Sequence, residues 1–421
     1  MPELLSPGVL IDDTATSETP ITGEPTSVCA FVGPTRKGPV GRVSKPLTSF
    51  SEFERRYGGV ADLRFTGDTS ALHRRNYMAH AAQAFFGNGG TRLYVVRTVC
   101  GFRQSTGSPA PGSPDFPAAI AVEYAAAFAR LEALGEVSIV AAPGYSALAD
   151  LVDDSSGATG SACRAIQDAL LTHVTTATCY RMALLDAPAE LSADQLQELR
   201  GTLDSAQAAL YCPWVVIANP LFGNGRKQPA EIALPPSGFV AGIYARNDIE
   251  RGVHKPPANL EVLGALRFER NINSDEQETL NELGVNCLRA FTGRGLRVWG
   301  ARTVSNDPEW KYVNVRRFFA YVGTSIEQGL LWTVFEPNGE ALWAKVRDTV
   351  RNFLRSQWQT GALVGDRPDD AWFVRCDRTT MTEEDITNGR LICEIGMAPL
   401  KPAEFVVIRI ALGVSGPDPD P

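Results

Sequence analysis

The class of fold is decided by three short apolar stretches in the middle of the chain: Val137-Ser-Ile-Val-Ala-Ala142, Cys179-Tyr-Arg-Met-Ala-Leu-Leu-Asp186 and Trp214-Val-Val-Ile-Ala218. Each stretch has the composition of a strand that is buried on both faces. Segments with helical spacing precede them and cover residues 118–134, 162–172 and 193–208. Strands that alternate with helices need crossover connections. The sequence therefore predicts an α/β unit with a mostly parallel sheet.

Loop-forming residues mark the limits of this unit. Gly, Pro and Ser are concentrated in residues 101–117, and a second Gly/Pro-rich stretch covers residues 219–238. We therefore expect an α/β and α+β multidomain chain with six parts. They are an N-terminal arm (1–26), core strands and a helix (27–100), the α/β domain (101–240), a return to the core (241–270), a C-terminal α+β domain (271–412) and a disordered tail (413–421).

Hydrophobic periodicity predicts the elements on either side of the α/β unit. Ahead of it we expect strands at residues 28–32 and 92–99, with a helix at 70–86 between them. After it we expect helices at residues 313–329 and 338–360. Strands are predicted there at residues 296–303, 372–376, 391–395 and 404–412.

The predicted helix at residues 338–360 has two distinct faces. One face carries the apolar residues Leu342, Trp343, Val346, Val350, Phe353 and Leu354. Another face carries Arg347, Arg351 and Arg355, which recur every four residues. These arginines could be a solvated basic surface or a ridge that faces an acidic partner, and amphipathicity alone does not separate the two interpretations.

Both ends of the chain contain strand-forming residues without an obvious partner in their own segment. The N-terminal arm is rich in Pro, Ser and Thr, and only Gly8, Val9, Leu10 and Ile11 offer a strand. The C-terminal strand comprises Phe405, Val406, Val407, Ile408, Arg409 and Ile410. Either end could pair within its own subunit, or it could add to an exposed sheet edge of another chain.

A predicted two-stranded unit could receive such strands. Its residues are Trp372, Phe373, Val374, Arg375, Leu391, Ile392, Glu394 and Ile395. A pair of strands is marginally stable alone, so it favours the addition of further strands.

Composition restricts the class of protein. The chain has 421 residues, of which 44% are hydrophobic and 21% charged, and its net charge is −8. The negative balance argues against a nucleic-acid binder. The first residues lack the basic start and apolar run of a signal peptide, and no stretch is long enough to insert into a membrane, so we expect cytoplasmic synthesis. Eight irregularly spaced cysteines indicate reduced, buried thiols.

No motif in the sequence requires an enzyme, a metal or another cofactor. Gly223-Asn-Gly-Arg-Lys227 lacks the spacing and hydroxyl of a phosphate loop, and Val298 stands where a dinucleotide fingerprint needs a third glycine. His73 and His80 are seven residues apart, without the spacing of a zinc-binding helix. Gly144-Tyr-Ser146 lacks the second glycine of a nucleophile elbow. A nucleotide-binding α/β enzyme remains a remote alternative, motivated by the alternating region alone.

Several longer motifs together resemble the contractile tail sheath proteins of phages and phage-derived injection particles. The C-terminal ones are Arg294-Gly-Leu-Arg-Val-Trp-Gly-Ala-Arg-Thr303, Trp310-Lys-Tyr-Val-Asn-Val-Arg-Arg317, Phe335-Glu-Pro-Asn338 and Pro399-Leu-Lys-Pro-Ala-Glu-Phe-Val-Val-Ile-Arg-Ile410. Motifs nearer the N-terminus are Ser6-Pro-Gly-Val9, Ser27-Val-Cys-Ala-Phe-Val-Gly33 and Phe85-Phe-Gly-Asn-Gly-Gly90, and Arg251-Gly-Val-His-Lys-Pro-Pro-Ala-Asn259 follows the α/β unit. His254 and Pro256 depart from the family pattern. The resemblance covers residues 1–100 and 240–412.

The resemblance implies a structural subunit that polymerises helically around an inner tube and contracts to drive the tube through a target envelope. The C-terminal domain would form the inner mesh, completed by arms of neighbouring subunits, and the α/β domain would lie outside. Arg347, Arg351 and Arg355 would face the tube. Implied partners are other copies of the chain, the tube protein, and baseplate and tail terminator proteins, assembled in the cytoplasm of a bacterium or infected host. A sheath-like paralogue that caps the tube or joins it to the baseplate is the alternative.

Overall fold

A computed structural model describes residues 20–63, 75–99, 115–148, 162–176, 180–223 and 229–404. The helices that it contains are α1 (Phe50–Tyr57), α2 (Tyr77–Gly87), α3 (Phe116–Ala129), α4 (Ala162–Thr175), α5 (Ala193–Gly201), α6 (Ser237–Arg251), α7 (Ser274–Glu282), α8 (Val313–Gly329), α9 (Glu340–Gln359), α10 (Pro368–Ala371) and α11 (Glu383–Thr387). The strands are β1 (Val28–Pro34), β2 (Arg92–Thr98), β3 (Ile139–Ala141), β4 (Met182–Asp186), β5 (Ala208–Cys212), β6 (Val215–Ala218), β7 (Glu231–Leu234), β8 (Leu260–Glu261), β9 (Arg267–Phe268), β10 (Val285–Phe291), β11 (Gly295–Trp299), β12 (Trp372–Arg375) and β13 (Glu394–Met397).

One eight-stranded sheet organises most of the molecule, in the order β2-β1-β3-β4-β5-β10-β11-β8. The six strands from β2 to β10 are parallel, and β11 and β8 pair antiparallel at one edge. The prediction of a mostly parallel α/β sheet is therefore confirmed. The sheet is larger than the α/β domain expected at residues 101–240. It also includes β1, which precedes residue 101, and β10, which follows the expected start of the C-terminal domain at residue 271.

Side-chain alternation places an apolar core on each face of the sheet. In β1, Cys29 and Phe31 point into one core, and Ala30 and Val32 point into the other. Helices α2 and α6 cover the first face, whereas α3 and α4 cover the second. The protein is thus three-layered in this region, with fully buried strands in the middle.

Helices α2 and α6 approach each other closely because α6 presents two glycines to α2. A Cβ atom at Gly238 would lie 2.6 Å from Cα of Ala81, and one at Gly242 would lie 2.4 Å from the carbonyl oxygen of Phe85. Both positions are therefore restricted to glycine by backbone contact, which a flexible side chain could not relieve. This packing fixes α6, which in turn carries residues that contact the C-terminal region.

Two predicted elements of the α/β unit were wrong. The helix expected at residues 193–208 ends at Gly201, and Ala208–Cys212 forms the buried strand β5 of the parallel sheet. The segment predicted to follow it in that sheet is β6, which belongs to a separate antiparallel sheet in the order β7-β6-β9. The alanines at the start of β5 favour a helix locally, but burial between β4 and β10 selects the strand.

The C-terminal region packs α8 and α9 around two smaller apolar cores. One core joins Phe318 and Val322 of α8 to Val350 and Leu354 of α9, and Ile21 reaches it from the N-terminal side. The other contains Leu342, Trp343, Val346, Cys376 and Met381. The helices predicted at residues 313–329 and 338–360 are confirmed, with the second spanning Glu340–Gln359.

Candidate assembly interface

Strands β12 and β13 form the two-stranded unit in the C-terminal region. They pair antiparallel, with Trp372 opposite Met397 and Arg375 opposite Glu394. Val374 is buried against α9, whereas Phe373 points outward and is 46% exposed. Phe373 lies over Gly396, where an added Cβ would meet its ring at 2.1 Å. One face of the unit therefore belongs to the core, and the other presents an aromatic ring to the outside.

The structure brings most of the predicted receiving residues together. Trp372, Phe373, Val374 and Arg375 form β12, and Glu394 and Ile395 lie in β13. Leu391 and Ile392 precede the second strand, which begins at Glu394 and not at residue 391 as expected. Among the described residues, this sheet has two strands only. That these strands receive an arm from another chain stays a prediction.

The two predicted exchange segments lie outside the described residues. Gly8, Val9, Leu10 and Ile11 belong to residues 1–19, and Phe405, Val406, Val407, Ile408, Arg409 and Ile410 follow the described end at residue 404. The structure does describe the segments that flank them, and these are firmly held.

Residues 20–26 are anchored along helix α8. Ile21 packs in the C-terminal core, against Gly329 at the end of α8. The Glu24 amide donates a hydrogen bond to the Ser325 hydroxyl (2.9 Å), and Arg317 donates to the carbonyl of Thr26 (2.8 Å). The N-terminal segment therefore enters the described structure at the C-terminal end of α8.

Residues 400–404 are anchored near the other end of the same helix. Asn314 donates a hydrogen bond to the carbonyl of Leu400 (3.2 Å), and the carboxylate of Glu404 forms an ion pair with Arg302, with Nε to Oε1 at 2.9 Å. Asn314 and Gly329 are fifteen residues apart on α8, so the two anchors are separated by about 22 Å along its axis. The chain thus enters and leaves this region at opposite ends of one rigid helix.

Helix α9 places its arginines in two environments. Arg351 and Arg355 are exposed, and neither forms an ion pair with any residue that the structure describes. Arg347 is half-buried, and its Nε lies 4.0 Å from Asp348. The predicted apolar face of this helix is buried, which leaves the exposed pair on the opposite side. Within the described part of the chain, two of the three arginines are thus exposed without an ion pair, and the third, Arg347, is half-buried on its own subunit.

A buried ion pair joins the C-terminal region to the sheet. Arg317 of α8 donates hydrogen bonds from both terminal nitrogens to Asp248 of α6, at 3.0 and 2.6 Å. The two side chains are 4% and 1% exposed. The Arg317 guanidinium also lies 4.8 Å from the ring centre of Tyr244. Sequence reasoning did not single out this pair, because its partners are 69 residues apart.

An exposed apolar loop between α8 and α9 was also missed by sequence reasoning. Leu331, Val334 and Phe335 are exposed, with Phe335 wholly so. Phe335 has a φ of +70°, a conformation that a residue with a side chain rarely adopts. In the sequence, the Phe335-Glu-Pro-Asn338 motif contributes only to the family resemblance. That its apolar side chain is exposed to solvent is seen only in the folded chain.

A wide groove of ≈ 1280 Å³ lies beside the anchored residues 400–404. Lys255 is on one wall, and burial, together with the nearby charge of Arg251, lowers its pKa to about 8. Its ammonium donates hydrogen bonds to the carbonyls of Pro256 (2.8 Å) and Ala258 (3.0 Å). Lys255 thereby stabilises the loop that contains the Arg251–Asn259 motif, since its ammonium group donates to backbone carbonyls of that loop.

Two of the glycines and one of the histidines that the sequence offered for nucleotide or metal binding lie in a β-turn region and in the core. Gly293 lies in the turn between β10 and β11, and Gly295 is the first residue of β11; both have a positive φ. His80 is buried in α2, and burial followed by the charge of Arg75 lowers its pKa to about 4. His73 and most of Gly223–Lys227 lie outside the described residues. Within the described ranges, no group of three or more potential ligand side chains could hold a metal ion.

Two family models match adjacent parts of the chain. The phage tail sheath protein central domain matches residues 120–304, which include six of the eight strands of the large sheet (β3, β4, β5, β8, β10 and β11). The phage tail sheath C-terminal domain matches residues 305–413, which include α8, α9 and the β12–β13 unit. Together the two matches cover well over half of the chain. The chain belongs to the phage tail sheath protein family.

Similar proteins support this membership. A putative prophage major tail sheath protein of Pseudomonas aeruginosa (strain UCBPP-PA14) is 26% identical over 47% of this chain and 49% of its own length. The tail sheath protein of Escherichia phage P2 is 28% identical over 40% of this chain and 42% of its own length. The chain thus matches about half or less of these curated relatives.

Solved structures extend the similarity to nearly the whole chain. A chain of the anti-feeding prophage helical sheath in the contracted state is 27% identical, with a TM-score of 0.71 over 96% of this chain and 98% of that chain. The sheath complex of an extracellular contractile injection system, PVC, also in the contracted state, is 26% identical, with a TM-score of 0.71 over 98% and 99%. Every helix in the described ranges is too short or too polar to span a bilayer.

Proposed function

We propose that this chain is a structural subunit of a contractile sheath. It polymerises helically around an inner tube and contracts to drive the tube through a target envelope. The observation that carries the proposal is the match of the two sheath family models to residues 120–304 and 305–413. The similarity over nearly full length to chains of contracted sheaths supports it further.

The proposed partners follow from the same role. They are other copies of the chain, an inner tube protein, and baseplate and tail terminator proteins of a phage tail or phage-like particle assembled in the cytoplasm. The chain acts without a cofactor, catalysis, nucleic acid or membrane insertion. Contraction uses energy stored in the packing of the subunits at assembly.

A second candidate is a sheath-like paralogue that joins the tube to the baseplate. It is favoured by the similarity to a chain in the anti-feeding prophage baseplate structure, which is 27% identical over 98% of this chain. Electron microscopy of the purified protein with its tube separates the two. A main sheath subunit gives long tubes of constant width, whereas a joining subunit gives single rings or short stacks.

We further propose that subunits are linked by strand exchange. The segments at residues 20–26 and 400–404 are anchored about 22 Å apart along α8, so the described chain begins and ends at separate places on the subunit. The β12–β13 pair has only four residues in each strand, and such a pair is stabilised when further strands are added. Arms from two neighbours would supply these strands.

Deletion of residues 1–19 tests the linkage. The shortened chain keeps Ile21 and the anchors at Ser325 and Arg317, so we expect a folded monomer with a near-parental melting temperature that forms no tubes. A matched control removes residues 413–421, which contain no strand-forming run, and should still polymerise. If the chain without residues 1–19 forms normal tubes, strand exchange through the arm is excluded.

We propose that the positive charges of Arg351 and Arg355 bind an acidic surface of the inner tube protein. The Arg351→Glu/Arg355→Glu variant should lose co-assembly with the tube while it keeps its fold, since exposed substitutions cost within about 0.5 kcal/mol of stability. The Arg351→Lys/Arg355→Lys variant preserves the charge and serves as the control. Unchanged co-sedimentation of the Glu variant with the tube would place the contact elsewhere.

A further inference from the structure

Two cysteines lie opposite each other where the β12–β13 ladder continues beyond its assigned strands. Cys376 follows Arg375, and Cys393 precedes Glu394, which is the residue paired with Arg375. Continuing the antiparallel register by one residue therefore pairs Cys376 with Cys393. Both are free thiols in the structure, and both belong to the core cluster around Trp343.

The backbone pattern indicates which kind of cross-strand pair they form. The Ala398 amide donates to the carbonyl of Ala371 (2.9 Å), so those two residues are a hydrogen-bonded pair. Pairs alternate along an antiparallel ladder, which makes Cys376 and Cys393 a non-hydrogen-bonded pair with Cα atoms about 4.5 Å apart. A disulfide accepts Cα separations of about 4.4–6.8 Å. The backbone is therefore already arranged for a disulfide.

The side chains meet on the inner face of the unit. Their thiols hydrogen-bond to each other, and this bond, followed by the nearby guanidinium of Arg347, lowers the pKa of Cys376. The same bond raises the pKa of Cys393, with burial as the next cause. Cys376 is buried, whereas Cys393 is partly exposed. The pair thus has the geometry for a bond, with the lowered pKa on the buried sulfur of Cys376 and with Cys393 partly open to the outside.

We propose that Cys376 and Cys393 form a reversible disulfide that covalently joins β12 to β13 at one end of the two-stranded unit, where β12 ends and β13 begins. With hydrogen peroxide as oxidant, Cys376 loses its proton to solvent, and its thiolate attacks one oxygen of the O–O bond. That bond breaks, Cys376 becomes a sulfenic acid, and the hydroxide that leaves takes up the proton lost by Cys376 to give one water. The sulfur of Cys393 then attacks the Cys376 sulfur, the S–O bond breaks, and hydroxide leaves with the thiol proton as a second water. Two thiols and one peroxide give one disulfide and two waters, and a dithiol reverses the reaction.

The bond closes residues 377–392 into a loop that contains α11. Two strands of four residues each are only marginally stable by themselves. A covalent link at one end would therefore keep β12 and β13 paired in their register. The protein contains a matched control for this proposal. Cys212 of β5 and Cys287 of β10 are also direct neighbours across strands, but both are buried in the parallel sheet, so we expect them to stay reduced.

The test oxidises the fully reduced, folded full-length protein with hydrogen peroxide. Remaining thiols are alkylated after denaturation, and the digested protein is analysed by mass spectrometry. We expect a peptide pair linked through Cys376 and Cys393, lighter by two hydrogen atoms and separated by dithiothreitol, with Cys212 and Cys287 alkylated. Recovery of Cys376 and Cys393 as free thiols, or as separate sulfinic acids, would overturn the proposal.

Hydrogen exchange gives a second measurement. Oxidation of the natural protein should slow amide exchange in β12 and β13 by about tenfold or more, since a disulfide that closes a loop of this size has a stabilising effect of that order. The Cys393→Ser variant should show no change on oxidation, and Cys163→Ser should behave like the natural protein. Equal slowing in the Cys393→Ser variant would show that the disulfide is not the cause.

Discussion

The buried ion pair between Arg317 and Asp248 supports our most quantitative prediction. Arg317→Met removes the cation but keeps most of the side-chain volume against the Tyr244 ring. It leaves the carboxylate of Asp248, whose side chain is 1% exposed, without its partner. It also removes the donor to the carbonyl of Thr26, which anchors the N-terminal segment. We therefore expect a large loss of stability from one side chain.

The expected magnitude follows from the burial of both groups. Removing one member of a buried ion pair costs about 3–5 kcal/mol, because the remaining charge is neither solvated nor paired. Asp248→Asn should cost a similar amount. The double variant Arg317→Met/Asp248→Asn contains no uncompensated charge, so it should be more stable than the sum of the single effects predicts by about 0.5–3 kcal/mol.

Urea denaturation of the four proteins, under conditions where the chain is monomeric, measures these free energies of unfolding. Arg351→Met is the control, because it removes an exposed arginine that lacks an ion pair with the described residues and should cost within about 0.5 kcal/mol. The reasoning is refuted if Arg317→Met costs less than about 1 kcal/mol, or if the two single effects simply add.

Three further predictions concern single positions. Gly329→Ala should displace Ile21, because the added Cβ would lie 2.6 Å from its Cγ1. Limited proteolysis should then cleave within residues 20–26 faster, whereas the melting temperature of the protein should stay near the parental value. Gly396→Ala should move only the exposed Phe373 ring, so circular dichroism should be unchanged while tube formation falls. Burial raises the pKa of Asp186 to about 7, despite the bonds that it accepts from Ser237, so its proton is held more tightly in the folded chain than in the unfolded one. The resulting stabilisation is complete below about pH 4 and is lost as pH rises to about 7, and Asp186→Asn should abolish that part of the pH dependence of unfolding free energy.

Much of the local structure was predictable from the sequence. The run of residues 313–329 and the apolar stripe from Leu342 to Leu354 specify helices by a spacing that is contained within each segment. The parallel strands β3 and β4 were likewise predictable from short apolar runs between helices. The motifs near both ends also indicated the family, which the two family models show.

Strand β5 and the second strand of the small sheet show where local reasoning fails. Ala208–Cys212 has a helix-favouring start, and only its place between β4 and β10 makes it a strand. Strand β13 begins at Glu394 because this residue is the first that pairs with β12, opposite Arg375. In both cases the deciding contacts come from residues that are distant in the chain, and propensity contains no information about them.

The sequence by itself determined the α/β class, the C-terminal helices, the family and the arginine spacing on α9. The tertiary structure decided that β1 and β10 share one sheet with the central strands, and that Arg317 and Asp248 form a buried pair. It also decided that Arg347 packs inward while Arg351 and Arg355 stay exposed, and that Cys376 faces Cys393. Periodicity reports which face of an element is apolar, but the partner of that face is selected by packing over the whole chain.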